Sequence, residues 1–221
     1  MATLPSIPPD DLRRHLQALS PEPLSAAALD ALLVHYAELR AWSRSLALIG
    51  PGTVAEVLER HFGEALAALP LVPPEPAGSG ELVDVGSGAG FPGLVLAAAR
   101  PRWRVTLIEA RQRKWSFLMA VARKAALSVQ CLDARVAVPL PAGLPGEIER
   151  VTMRAVRLPE PVAAALLGRL GAAGSALYWT GADHPVPPPG FAVASLLPLA
   201  GSERRRIVEV RRAVGAGVES L

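Results

Sequence analysis

The stretch LVDVGSGAGFPG, residues 82–93, places four glycines and one aspartate within twelve positions. An apolar run that contains Asp84 precedes the glycines, and a run rich in alanine, leucine and valine follows them. Glycine adopts backbone angles that other residues avoid and has no Cβ that would collide with a ligand. A strand, a glycine loop and a helix in this order are typical of the first crossover of a parallel sheet with a ligand beside it. The stretch therefore predicts a Rossmann-like α/β fold.

The sequence after this loop supports the same fold, because short apolar runs alternate with longer runs of helical periodicity. Strands are expected near residues 81–86, 104–109, 128–132, 149–154 and 175–180, and helices over 91–99, 111–126 and 159–170. Two β-like runs at 191–199 and 206–211 have no convincing helix between them, which favours an antiparallel hairpin at the sheet edge. We expect a mainly parallel, seven-stranded sheet.

The chain before the loop has a different pattern. Leucines and aromatic residues between positions 10 and 69 recur at helical spacing, and Thr53 to Glu56 fits a capping box that would start a helix running to about Leu69. A proline- and glycine-rich run then follows. We expect an α-helical N-terminal region over 1–70, a linker over 71–80 and a Rossmann-like domain over 81–221.

Composition limits the classes of protein that the chain can belong to. The single cysteine, Cys131, excludes an internal disulfide framework and a multi-cysteine metal site. The first residues lack the basic start and the apolar region that are typical of a signal peptide, and the longest apolar region, 162–179, is interrupted by Arg169 and by glycines. We expect a soluble, cytoplasmic protein without a metal. Nearly all of its positive charge is arginine, whose planar fork suits phosphate and base recognition.

The glycine loop alone leaves the ligand open, because residues 88–93 also fit the GxGxxG pattern of dinucleotide-binding folds. Asp84 would repel a pyrophosphate but could accept hydrogen bonds from an ammonium-bearing ligand. Pro92 removes an N–H that a pyrophosphate-binding turn would use. Both features favour S-adenosylmethionine over NAD. Glu109 ends the second strand about twenty residues later, where a carboxylate can bind both ribose hydroxyls of either cofactor.

The sequence resembles a known family over nearly its whole length. Residues 82–94 resemble the signature of the glucose-inhibited division protein B family, also called ribosomal RNA small subunit methyltransferase G, and the Gly-Phe-Pro-Gly ending is the distinctive part. Further matches are Glu109 with Arg113-Lys114, Arg154-Ala155, and Arg60-His61 with Glu64. The resemblance implies a class I methyltransferase that transfers a methyl group from S-adenosylmethionine to N7 of a guanine in 16S ribosomal RNA.

Motif and resemblance together give the candidate site residues. The candidates for cofactor binding are Asp84, Gly86, Ser87, Gly88, Gly90, Phe91, Glu109, Ala134, Arg135 and Arg154. Arg154 is also the candidate for positioning the substrate in catalysis, with a structural salt bridge as the alternative. The candidates for RNA binding are Arg111, Arg113, Lys114, Arg123 and Lys124, with a solvated helix face as the alternative. The expected partner is 16S ribosomal RNA or the small ribosomal subunit, with no membrane, and the protein is expected to be a monomer.

Some positions depart from the family pattern, and they keep other functions open. Ala47, Ala137, Met153 and Thr180 stand where the family carries polar or charged residues. The departures leave open an S-adenosylmethionine-binding paralogue with a lost or altered substrate, either a regulatory protein or a small-molecule methyltransferase. An NAD-dependent oxidoreductase is a further alternative. For the leading hypothesis no general base is needed, because N7 of guanine already carries a lone pair, and catalysis reduces to alignment and exclusion of water.

Overall fold

The computed structural model describes residues 3–181, 183 and 185–213. Residues 1–2 and 214–221, at the ends of the two predicted regions, lie outside this description. Seven strands form one sheet in the order β3-β2-β1-β4-β5-β7-β6. They are β1 (Glu81–Val85), β2 (Arg104–Glu109), β3 (Val129–Asp133), β4 (Ile148–Arg154), β5 (Leu170–Thr180), β6 (Phe191–Pro198) and β7 (Arg206–Arg212).

The pairing within the sheet confirms the predicted fold class. Strands β1 to β5 are mutually parallel, whereas β7 is antiparallel to both β5 and β6. The terminal hairpin therefore closes one edge of the sheet. Strand β1 lies between β2 and β4, and the order of connection reverses there. Ligands of open α/β sheets bind at this reversal, beyond the carboxyl ends of the strands.

Helices cover both faces of the sheet. They are α1 (Pro9–Leu19), α2 (Ala26–Trp42), α3 (Glu64–Leu66), α4 (Gly93–Ala99), α5 (Gln112–Lys124) and α6 (Glu160–Leu167). On one face a single apolar cluster joins the N-terminal helices to α4 and α5. On the other face α6 packs its leucines against the central strands. Ser25 caps α2, because its hydroxyl accepts the N–H of Ala28 at 3.1 Å.

The predicted capping box at Thr53 is wrong. The Thr53 hydroxyl donates to the carbonyl of Gly50 at 3.0 Å and lies 2.9 Å from Nε2 of His61, so it caps no helix. Pro51–Thr53 forms a single 3-10 turn instead. Regular structure resumes as a π-helix, Leu58–Gly63, which continues directly into α3. The expected long helix is thus shorter and more widely wound.

The segment predicted as a linker is fixed against the sheet. The buried carboxylate of Glu149 accepts the backbone N–H groups of Ala77, Gly78 and Gly80 at 2.8, 2.9 and 2.9 Å. The neighbouring Arg150 donates to the carbonyl of Leu71 at 2.8 Å. Side chains of β4 therefore supply the hydrogen bonds that this proline- and glycine-rich segment cannot form within itself. Its role as a boundary between two domains stays a prediction.

Glu149→Ala is expected to lower the free energy of unfolding by roughly 3 kcal/mol, because three backbone N–H groups, of which that of Gly80 is buried, lose a charged acceptor. Chemical denaturation of both proteins measures the difference. Glu147→Ala, a change at an exposed carboxylate two residues earlier, is the control and should cost less than about 0.5 kcal/mol. Equal effects of the two substitutions would contradict a fixing role for Glu149.

Candidate ligand-binding site

Two glycines of the loop are required by contacts within the protein. Gly86 and Gly90 have φ angles of +68° and +84°, which L side chains rarely adopt. A Cβ on Gly86 would lie 2.6 Å from Cγ2 of Val156, and one on Gly90 would lie 2.9 Å from Cγ of Leu94 and 3.2 Å from Nε2 of His35. These two glycines allow the loop to pack against its own protein.

The other two glycines of the loop, Gly93 and Gly88, have different surroundings. A Cβ on Gly93 would lie 2.6 Å from Oδ2 of Asp84 and would also overlap Leu107, so glycine lets α4 start directly on the sheet. A Cβ on Gly88 would meet nothing closer than the carbonyl oxygen of Gly86 at 3.6 Å. Among the four glycines of the loop, Gly88 is therefore the one with open space beside its backbone.

Asp84 fixes the loop from beneath. It is 1% exposed, its Oδ1 accepts the Thr152 hydroxyl at 2.7 Å, and its Oδ2 accepts the N–H of Gly93 at 3.2 Å. Ser87 adds a hydrogen bond to the backbone carbonyl of Asp84 at 3.0 Å. Burial raises the pKa of Asp84 to about 6, while these bonds and the Arg154 charge act in the opposite direction. Asp84 thus acts by holding loop and helix in place.

Glu109 lies beside Gly88 at the carboxyl end of β2. Its Oε2 accepts the N–H of Gly88 at 2.9 Å, and its Oε1 accepts the N–H of Arg111 at 2.8 Å. Each carboxylate oxygen keeps a second lone pair for a ligand donor. The predicted adjacency of the acid to the glycine loop is thus present in the structure, although binding by either residue stays a proposal.

The third strand adds an acid that the sequence interpretation missed. Asp133 pairs in register with Glu109, and the Ala134 N–H donates to the Glu109 carbonyl at 3.3 Å. Asp133 is exposed, as is Arg135 two positions later. The predicted strand ended one residue too early, at 132, and so excluded it. Parallel strands end at one edge of the sheet, and that rule applied to β3 would have found Asp133.

A buried histidine and a phenylalanine hold the loop from the helical side. His35 of α2 is 1% exposed, and its Nε2 lies 2.8 Å from the Ala89 carbonyl, so Nε2 carries the proton and donates it. Burial lowers the pKa of His35 to about 4, which keeps the ring neutral. The ring stacks on Phe91 at 4.8 Å, and Phe91 meets Phe62 edge to face at 4.9 Å. The Phe91 side chain thus points into the helical layer, and the sequence interpretation had not found His35.

Arg154, the last residue of β4, forms a salt bridge and also keeps one N–H group without an acceptor among the described residues. Its Nη2 lies 3.0 Å from Oε2 of Glu64 and donates to the Arg60 carbonyl at 2.6 Å, which is a structural salt bridge. Its Nη1 is buried and, within the part of the chain that the structure describes, has no acceptor. Burial and the Arg60 charge lower the pKa of Arg154 to about 10, so it stays protonated at neutral pH.

Two of the predicted RNA contacts are engaged with the N-terminal helical region. Lys124 Nζ lies 2.6 Å from Oε1 of Glu38, and Arg113 Nη2 donates to the Ser45 carbonyl at 3.1 Å. The Lys124 charge is therefore paired, whereas Arg113 bonds to a neutral carbonyl and has no acidic partner among the described residues. These bonds tie α5 to the N-terminal helical region as well as presenting basic groups.

The other predicted RNA contacts leave their charges near the surface. Arg111 and Arg123 are exposed. Lys114 is half-buried, and burial lowers its pKa while the Glu109 charge acts against that shift. Arg111 and Lys114 lie next to Glu109, at the rim of the candidate site, whereas Arg123 lies near the far end of α5.

A cavity of about 770 Å³ opens at the carboxyl ends of β4 and β5. Met153, Tyr178 and Thr180 are among the residues that line it. The Arg154 side chain does not line it, because it follows Met153 in the strand and contacts Glu64 on the opposite face of the sheet. Two of the positions that depart from the resembled family thus face one open space. Ala47, a third such position, is exposed elsewhere, just before the buried Leu48 and Ile49.

Among residues 3–181, 183 and 185–213, no group of three or more histidine, cysteine, aspartate or glutamate side chains could hold a metal ion. Over the same residues, every helix is too short or too polar to cross a membrane.

Sequence comparisons with known proteins converge on one family. The family model described as rRNA small subunit methyltransferase G matches residues 29–184. Ribosomal RNA small subunit methyltransferase G of Desulfotalea psychrophila is 44% identical over 52% of the chain and 51% of its own length. The protein of the same name from Sorangium cellulosum is 40% identical over 69% of the chain and 63% of its own length. The aligned part thus spans about half to three fifths of these relatives.

One solved structure supports the fold alone. A SAM-dependent methyltransferase from Aquifex aeolicus superposes with a TM-score of 0.54 at 16% identity, covering 73% of this chain and 98% of that one. Such a likeness, at so low an identity, concerns architecture: a Rossmann-like sheet with flanking helices.

The glycines of the loop should respond differently to a methyl group. Gly93→Ala is expected to lower the free energy of unfolding by about 2 kcal/mol or more, because the new Cβ meets Asp84 and Leu107. Gly88→Ala should cost only about 1 kcal/mol, for its φ of +57°. Denaturant titration of both variants measures the two values, and the reverse order would contradict the assignment.

The stability that Asp84 contributes should depend on pH. Its pKa is about 6 in the folded protein against 3.8 ordinarily, so between these values the folded chain holds a proton that the unfolded chain has released. The free energy of unfolding, taken relative to Asp84→Asn, should therefore fall as pH rises from about 4 to about 6, by at most about 3 kcal/mol. A difference that stays constant over this range would show that Asp84 titrates normally.

Proposed function

Because the chain belongs to the rRNA small subunit methyltransferase G family, we propose that it transfers a methyl group from S-adenosylmethionine to N7 of a guanine in 16S ribosomal RNA. The observation that carries the proposal is the open backbone of Gly88 beside the Glu109 carboxylate at the carboxyl edge of the sheet. The names of the relatives state their activity. Because this chain aligns with only part of their length, we propose the same activity for it.

The residues at this edge fit the adenosyl group. The free lone pairs of Glu109 can accept the two ribose hydroxyls, and the empty space over Gly88 admits the nucleoside close to the backbone. Ala134, Arg135 and the exposed Asp133 line the same rim after β3 and complete the proposed cofactor site. When bound, S-adenosylmethionine supplies a methyl group on a positively charged sulfur.

The acceptor base would enter the cavity between the ends of β4 and β5. At about 770 Å³ it can hold a nucleobase taken out of an RNA stack. Arg154 does not line this cavity, but it ends the same strand β4, is a cation and keeps a buried N–H without an acceptor among the described residues, which suits an oxygen or nitrogen acceptor of guanine. It would hold the base so that N7 points toward the methyl group.

The protonation states of the histidines agree with a reaction that needs no general base. N7 of guanine has a lone pair and no proton to lose, so the protein has only to align the reactants and exclude water. His35 is buried, neutral and bonded to the loop. Burial and the nearby charges of Arg154 and Arg60 lower the pKa of His61 to about 3. Neither histidine is poised to exchange a proton near neutral pH.

A second candidate function is a protein that binds S-adenosylmethionine but modifies another substrate or none. Met153 and Thr180, an apolar and a neutral residue, line the acceptor cavity where the resembled family carries polar and charged groups.

The first proposal also implies a protein that works in the cytoplasm on the small ribosomal subunit or its RNA. A monomeric state remains a prediction.

Methyl transfer to ribosomal RNA tests the function directly. The purified protein is incubated with labelled S-adenosylmethionine and small subunits, or their RNA, from cells that lack this modification. The expected product is 7-methylguanosine in 16S RNA, and subunits that already carry the modification serve as the control. Cofactor binding without transfer to any RNA would contradict the first proposal and favour the second.

Glu109→Ala should weaken S-adenosylmethionine binding by at least about tenfold, because a carboxylate hydrogen bond to a hydroxyl contributes roughly 1.5 kcal/mol or more. Isothermal titration calorimetry gives the dissociation constant. Glu81→Ala, at the opposite end of β1, removes a carboxylate of the same size from the far edge of the sheet and should leave it unchanged. Equal affinities of Glu109→Ala and wild type would remove Glu109 from the cofactor site.

A further inference from the structure

One histidine of the N-terminal helical region is enclosed between α2 and the glycine loop. His35 is 1% exposed, its Nε2 donates to the Ala89 carbonyl at 2.8 Å, and its ring stacks on that of Phe91 with 4.8 Å between centroids. The rings of Phe62 and Phe117 lie 5.2 and 6.1 Å from it. A side chain buried to this extent does not touch a ligand, so His35 can affect ligand binding only through the loop.

A histidine at this position costs stability. A neutral imidazole carries one donor and one acceptor. Since Nε2 donates to Ala89, Nδ1 is the acceptor, and it is buried without a hydrogen-bond partner among the described residues. Burial also lowers the pKa of His35 to about 4, so the ring carries no charge near neutral pH. A phenylalanine would fill a similar space without an unpaired acceptor. Packing alone therefore does not account for the histidine.

The hydrogen bond from His35 fixes one particular peptide group of the loop, the one that joins Ala89 to Gly90. The carbonyl of this group accepts from His35, and its N–H donates to the Ser87 carbonyl at 2.7 Å. Gly90 also allows the approach of His35, because a Cβ on Gly90 would lie 3.2 Å from the histidine Nε2. Both polar groups of the peptide are thus bonded, and its orientation is set.

This peptide group follows directly on the open position of the loop. Gly88 precedes Ala89, has a φ of +57°, and donates its own N–H to Oε2 of Glu109 at 2.9 Å. Gly88 therefore lies between an anchor from the end of β2 and an anchor from α2. Glycine has more backbone freedom than any other residue, so holding Gly88 in one conformation requires bonds on both of its sides. Loss of the His35 bond would release one of them.

Resting on the proposed function, we propose that His35 is a positioning residue for S-adenosylmethionine: its N–H holds the Ala89 carbonyl and thereby keeps the Gly88 backbone and the Glu109 carboxylate in the arrangement that binds the nucleoside. A loop that is already ordered spares the ligand the entropy cost of ordering it, which raises affinity. The N-terminal helical region thus takes part in cofactor binding, because α2 carries the donor. The histidine is kept for its N–H rather than for its packing.

Two substitutions separate these roles. His35→Phe keeps a ring against Phe91 but removes the donor, so S-adenosylmethionine affinity should fall about tenfold. Its thermal midpoint should change by less than about 3 °C, because the unpaired Nδ1 is removed together with the bond. His35→Gln keeps an N–H at a similar reach but loses the ring. Its affinity should stay within about threefold of wild type, although its thermal midpoint should fall by about 5 °C or more. Isothermal titration calorimetry and thermal denaturation measure the two quantities.

Tyr36→Phe is the matched control on the same helix. The Tyr36 hydroxyl donates to the Pro5 carbonyl at 2.9 Å, and Tyr36 is 3% exposed. This substitution therefore also removes one hydrogen bond from a buried residue of α2 to a backbone carbonyl, but that carbonyl does not belong to the loop. Its affinity for S-adenosylmethionine should equal that of wild type.

The order of the two His35 variants decides the outcome. If affinity follows the thermal midpoint, so that His35→Gln binds no more tightly than His35→Phe, His35 acts only in packing and the proposal is overturned. Wild-type affinity in His35→Phe would overturn it as well. Binding is measured without RNA, so a wild-type protein that binds S-adenosylmethionine but transfers no methyl group would contradict the proposed function and not the role of His35.

Discussion

The buried carboxylate of Asp84 is the interaction on which the rest of the site depends. It lies at the end of the central strand and receives a hydroxyl from β4 and a backbone N–H from the first turn of α4. One side chain thus fixes the adjacent strand, the glycine loop and the following helix relative to each other. Burial of this carboxylate costs free energy, because burial disfavours its charged form. The pKa of Asp84 is therefore raised, although the hydrogen-bond donors act to lower it.

The loop is also held from the other side, by the helical region that precedes the sheet. The hydrogen bond from His35 to Ala89 and the stacking of its ring on Phe91 join α2 to the loop. The π-helix adds Phe62 to the same aromatic group, and Arg60 of the π-helix and Glu64 of α3 both contact Arg154 at the end of β4. The N-terminal helices therefore help to hold the site in place. Among the loop glycines, Gly88 is the one with open space beside its backbone.

The sequence predicted what depends on local pattern, and it missed what depends on distant contacts. Alternation of apolar runs located the strands, and the spacing from Asp84 to Glu109 located the crossover and its acid, since both follow from rules that act within a βαβ unit. The bond between His35 and Ala89 joins residues 54 positions apart, and that between Glu64 and Arg205 joins residues 141 apart. No periodicity encodes such pairs. The capping box predicted at Thr53 is wrong because the Thr53 hydroxyl donates to the carbonyl of Gly50 and contacts His61, so it does not cap a helix.

A crystal structure of the protein with S-adenosylhomocysteine tests the central claim most directly, because it shows which part of the loop meets the ligand. The account predicts that both ribose hydroxyls bind Glu109, that the nucleoside passes over Gly88, and that Asp84 keeps its bonds to Thr152 and Gly93. A nucleoside bound away from Glu109, or an Asp84 carboxylate that leaves Thr152 to bind the ligand, would contradict it.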